Sequence, residues 1–79
     1  MRITELARLT GLFFDQIRYV ERKGYVKSRK ILIGKRRVRD YTRGAVNLLG
    51  LIANYVSEGY KYDVAFPKAT TDLANSRLL

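Results

Sequence analysis

The stretch Phe13–Gly24, FFDQIRYVERKG, decides how this chain is read. At a 3.6-residue repeat Phe13, Ile17 and Val20 fall on one apolar arc, while Asp15, Gln16, Arg18, Tyr19, Arg22 and Lys23 occupy the rest of the circumference. One side is built to bury. The other offers cations, an amide and a phenol to a polyanion. Gly24 tolerates positive φ and stops the helix, and Arg22 and Lys23 sit against the negative end of its dipole.

Upstream, Ile3, Leu6, Ala7 and Thr10 follow a second helical stripe, with Thr4 as N-cap, Glu5 in the first turn and Gly11 at the end. A helix, a glycine turn and a second helix within about twenty residues is the helix-turn-helix arrangement, in which the second helix enters the DNA major groove, although any two-helix hairpin shares this outline. Downstream, Tyr25–Val26 reads as extended. Ile31–Leu32–Ile33 and Arg36–Tyr41 then read as two strands around a Gly34–Lys35 turn with glycine at its first central position. Alternation along the second strand sets Arg37, Arg39 and Tyr41 on one face and Arg36, Val38 and Asp40 on the other. Eight bases and one acid lie between Lys27 and Arg43. One or two charges suffice to protect a strand edge, so this density predicts a hairpin that contacts phosphates, a wing.

Thr42 is placed to cap a third helix reaching about Ser57, with Ala45, Leu48, Leu49, Ile52, Tyr55 and Val56 as its core stripe. Each buried Leu or Ile there contributes about 1.5–3 kcal/mol, so this helix is scaffold. After Gly59, Tyr60–Phe66 is expected to form a turn of helix that Pro67 ends. Thr71–Leu79, with Thr71 as cap and Leu73, Ala74 and Leu78 at helical spacing, reads as a tail or the start of a truncated helix. The expected organisation is therefore one domain over 1–66 and a tail over 67–79. The fold class is mainly α with a small antiparallel β hairpin, a winged helix-turn-helix.

Composition narrows the function. The net charge is +9 over 79 residues, and all the excess lies in the first 43, which hold 13 bases and 4 acids against 3 and 3 in the remainder. Such segregation suits a protein with one anion-binding surface. With no Cys and no His, thiol chemistry, imidazole bases and the two commonest transition-metal ligands are missing, so neither an enzyme nor a cofactor or metal site is expected. The longest apolar segment, Ala45–Val56, is too short and too interrupted to cross a bilayer. A cytoplasmic, nucleoid-associated protein with no membrane partner fits.

The ordered elements carry motifs that resemble the DNA-binding domain of the MerR family of bacterial transcription regulators. IRYVERKGYV at Ile17–Val26 is similar to that family's Leu-Arg-Tyr-Tyr-Glu-Arg-Lys-Gly-Leu signature, RVRDYT at Arg37–Thr42 to its Tyr-Arg-x-Tyr-Thr, and ITELARLTGL at Ile3–Leu12 to its first helix. The resemblance runs from about Ile3 to Gly59 and implies that Arg18 and Tyr19 meet DNA while Arg39 and the wing grip phosphates; Tyr41, Arg22 and Lys23 also match. Phe13 and Phe14 depart from it, standing where a polar cap is usual, a loss of about 1 kcal/mol. Val20 and Val38 replace aromatics, and Arg43 and Gly44 replace acids. The family's coiled-coil dimerisation helix and effector domain are not seen, so an isolated N-terminal domain or a small self-contained protein is expected.

The leading expectation is sequence-specific binding of double-stranded DNA in transcription regulation. The helix around Phe14–Lys23 would read the major groove, with Arg18 suited to guanine and Gln16 to adenine. The wing Lys27–Arg43, including Lys35, Arg36, Arg37 and Arg39, would supply phosphate contacts. The alternatives are an architectural factor of the excisionase or DNA-packaging kind, a basic module binding an acidic protein through Phe13, Phe14, Tyr60 and Tyr62, and a single-stranded nucleic acid binder. A protein partner, or a homodimer formed through residues beyond this chain, is also compatible.

Overall fold

Helix α1 (Ile3–Thr10) forms from the first apolar stripe, and Leu6 is its fully buried member. Its start differs from the expected one: Arg2 is the N-cap with extended torsions, and Thr4 lies inside the first turn. The cause is tertiary. The Met1 amino group bonds Asp40 and the Tyr41 carbonyl while the Tyr41 amide donates to the Met1 carbonyl, so the chain enters the helix from a fixed point. Gly11 closes α1 at φ 75°, donating its amide to the Ala7 carbonyl, a left-handed cap that a side chain would oppose.

The computed structural model describes residues 1–77. Helix α2 (Phe14–Arg22) buries Ile17 and Val20, as its stripe requires. Strands β1 (Arg29–Ile33) and β2 (Arg36–Asp40) pair antiparallel in the register Arg29↔Asp40, Ile31↔Val38 and Ile33↔Arg36. The two-residue loop has Gly34 at φ 63° and no non-glycine residue at positive φ, the distribution a type II′ turn demands. Helix α3 (Arg43–Ser57) starts where Thr42 Oγ1 accepts the Ala45 amide at 3.2 Å and buries Leu49, Ile52 and Ala53.

Helix α4 (Tyr62–Arg77) corrects the expectation that Pro67 ends the helix. A proline in this position removes one amide donor, the one that would reach the Asp63 carbonyl, and Asp63 is an exposed first-turn residue whose carbonyl can turn to water. On either side of the proline Ala65 and Ala69 are completely buried, and Phe66 stacks on Tyr25 with ring centroids 4.5 Å apart. Packing on both sides of the break outweighs one missing bond. Thr71, expected as a cap, is mid-helix, its hydroxyl donating to the Pro67 carbonyl at 2.9 Å. Leu78, expected on the apolar stripe of this segment, lies outside the described residues.

Candidate nucleic-acid interface

The exposed circumference of α2 carries Asp15, Arg18, Tyr19, Arg22 and Lys23, all outside the core. Arg18 and Arg22 are one helical turn apart, and together with Asp15, Glu21 and Arg39 they line a cleft between α2 and the hairpin. Two basic side chains of the helix and one from β2 thus converge in the same opening. On the opposite flank Tyr19 leans on Tyr62 of α4, ring centroids 5.2 Å apart, and the Lys23 ammonium lies 5.9 Å from the Tyr19 ring. Tyr19 is therefore a contact-bearing edge residue, 37% exposed. The groove there continues over Tyr60 and Lys61.

Glu21 ties the cleft together. Its carboxylate accepts the Tyr41 hydroxyl at 3.0 Å, accepts the Ser28 hydroxyl, and faces the Arg39 guanidinium at 3.6 Å. One acid of α2 thereby reaches the residue before β1, a side chain of β2 and the residue after β2. A second set fixes the other side of the hairpin: Asp40 bonds the Met1 amino group with one oxygen and Arg29 with the other, at 3.0 Å. Those hydrogen bonds, the amino terminus first and Arg29 second, hold the Asp40 carboxyl below its ordinary value of 3.8.

Two of the expected DNA-contacting residues have other duties. Tyr41 is only 2% exposed and belongs to the core, so it is not on the face it was expected to share with Arg37 and Arg39. The strand ends at Asp40, and alternation no longer governs the next side chain. Burial, then the hydrogen bond to Glu21, pushes its phenol up to about 12. Gln16, expected to read adenine, uses Oε1 to accept the Phe13 amide at 2.8 Å, the reciprocal half of a capping box. Phe13 itself is the N-cap of α2 and has no capping oxygen, as its side chain dictates. It also leaves the apolar arc on which Ile17 and Val20 lie. Because it precedes the helix, the 3.6-residue phase does not apply to it, and 77% of its surface is exposed.

The wing cations divide by height. Arg29 and Arg39, near the root, have carboxylate partners. Lys35, Arg36 and Arg37, at and beside the turn, are exposed and make no ion pair among the described residues. Arg37 and Arg39 alternate on the same strand face, as the strand period requires. Leu32 and Ile33 on the facing strand are also exposed, so the tip is a mixed apolar and basic surface. Glu21 is the functional residue that sequence reasoning misses. Its signal is a single acid among Arg18, Arg22 and Lys23, in a region of strong positive excess.

A basic helix following a glycine turn, flanked by a two-stranded hairpin and backed by a third helix, defines the winged helix-turn-helix class. The chain matches the family described as MerR HTH family regulatory protein over residues 1–65, from the amino terminus into the first turn of α4. It belongs to that family, whose members are DNA-binding transcription regulators. No individual curated protein matches it. No helix among the described residues is long and apolar enough to cross a membrane.

Proposed function

We propose that this protein regulates transcription by binding double-stranded DNA, with α2 in the major groove and the hairpin tip on the flanking sugar-phosphate backbone. The observation that carries the reading is the cleft in which Arg18 and Arg22 of α2 meet Arg39 of β2, with Glu21 fixing the hairpin against the helix. A helix and a wing held at a set distance can engage a groove and its edge together, and the rigid link lowers the ordering cost of doing so.

Roles then separate by chemistry. Arg18 and Arg22 face the bases, where a guanidinium pairs with guanine O6 and N7. Tyr19 and Lys23 guard the opposite groove wall. Lys35, Arg36 and Arg37 neutralise phosphates and add affinity without sequence preference. The experiment is a binding titration over a range of salt concentrations. Neutralising about five phosphates gives log affinity a slope near −4.5 against log salt. Replacing Lys35, Arg36 and Arg37 together by Ala should flatten the slope by about 2.7 if each meets one phosphate. Arg18→Ala should instead erode discrimination at a guanine step by about 1–3 kcal/mol. An unchanged slope in the triple variant removes the wing from the mechanism.

A further inference from the structure

We infer that Phe13 and Phe14, at the leading end of α2, form an apolar reader for the C5 methyl groups of thymine in the major groove. The inference rests on the groove reading above and adds to it the base that the helix prefers. Phe13 is the most exposed of the large apolar side chains among the described residues, at 77%, and Phe14 is 42% exposed. Neither ring contacts another aromatic ring among the described residues, unlike Tyr19, Tyr25 and Tyr55, which all do. Phe13 is largely in water, neither ring belongs to the core cluster, and Phe13 stands where an oxygen would cap the helix.

Their placement selects the occupant. Phe14 lies one turn before Arg18 and two before Arg22, on the helix row whose two arginines line the basic cleft. A second copy of this chain would bring like charges against that row, so association through it is opposed. A DNA duplex brings phosphates to the arginines and an apolar group to the rings. In the major groove that apolar group is the thymine methyl, and the first residues of a recognition helix are those nearest the base edges. Gln16, the amide that would otherwise read adenine at this end, is engaged by the Phe13 backbone. The leading turn therefore presents phenyl surface where the sequence predicts an amide.

The test uses the full chain. Duplexes enriched by the protein from a random-sequence pool are resynthesised with deoxyuridine for thymidine, which removes the methyl and leaves every hydrogen-bonding edge in place. The wild type should lose about fourfold in affinity for each methyl it contacts. F13A/F14A should bind the thymidine and deoxyuridine duplexes equally, with its salt slope intact, and F13L/F14L should retain part of the difference. Equal binding of both duplexes by the wild type, with salt-dependent affinity retained, overturns the methyl reader and leaves the groove reading standing. Discrimination by F13A/F14A as strong as that of the wild type overturns it equally. If no duplex is enriched at all, the groove reading falls and takes this inference with it.

Discussion

The root and the tip of the β hairpin are made of the same kind of sequence, and they behave differently. At the root Arg29, Asp40, Met1, Glu21, Arg39, Tyr41 and Ser28 are joined by hydrogen bonds and ion pairs that reach α2 and the amino terminus. At the tip Lys35, Arg36 and Arg37 have no such partner among the described residues, and Leu32 stays 69% exposed. Two arginines at the root, Arg29 and Arg39, meet carboxylates within the molecule and fix geometry, whereas the charge at the tip awaits an external anion. A count of cations cannot tell these apart. Two carboxylates, Glu21 and Asp40, draw the boundary.

The largest expected effect is on the root. Glu21→Ala leaves the Tyr41 hydroxyl buried without an acceptor and frees Arg39 and Ser28, and a loss of about 3 kcal/mol is expected from urea unfolding. For a domain of this size that is a large share of its total stability. A change below about 0.5 kcal/mol would mean that the root is not a structural joint at all.

Tyr41→Phe is milder, because Glu21 keeps its other two partners. About 1 kcal/mol should be lost, and the alkaline limb of the stability curve should change with it. The folded-state phenol stands at about 12 against an ordinary 10.0, so the folded protein holds this proton more tightly than the unfolded chain. Its stabilisation is complete below pH 10 and is lost as pH rises from 10 through 12. Melting temperatures across that interval should fall more steeply for the wild type than for Tyr41→Phe, and parallel curves would argue against a buried Tyr41–Glu21 bond.

Asp40 gives the acid-side counterpart. Its carboxyl is held below 3.8, so its contribution is present above that value and disappears as pH falls through the lowered one. Asp40→Asn should flatten the acid limb of the melting curve, and an unaltered limb would detach the amino terminus and Arg29 from the root. The smallest stability effect belongs to the tip, where Lys35, Arg36 and Arg37 changed together to Ala should leave urea unfolding within about 0.5 kcal/mol of the wild type. Appreciable destabilisation there would erase the distinction between the two halves of the wing.

The element order is legible because its signals are local. Gly11 and Gly34 sit where positive φ is needed, Thr42 caps with its own hydroxyl, and Ile17, Val20, Leu49 and Ile52 repeat at the helical period. The same phase puts Arg18, Arg22 and Lys23 on the exposed side of α2. Sequence misleads where phase or propensity meets a neighbour that it does not display. Helical phase puts Phe13 on an arc that begins one residue after it. Strand alternation places Tyr41 beside Arg37 and Arg39 although the strand has already stopped, and Gln16 looks free although a backbone amide three residues away claims it. The missing donor of Pro67 is a local fact that reads as a helix end, while the burial of Ala65 and Ala69 in the shared core is not local.

By itself the sequence determined the helix, turn, helix, hairpin and helix order, the burial stripes, and the concentration of cations in the first half of the chain. These depend on torsional preference and on periodicity within a few residues. Only the tertiary structure decided which cations meet a carboxylate and which meet solvent, that the Tyr41 phenol turns inward, and that Phe13 stands largely in solvent at the start of α2. The physical reason is that charge pairing and burial depend on which groups lie within a few ångströms. For Glu21 and Tyr41 those groups come together from positions twenty residues apart.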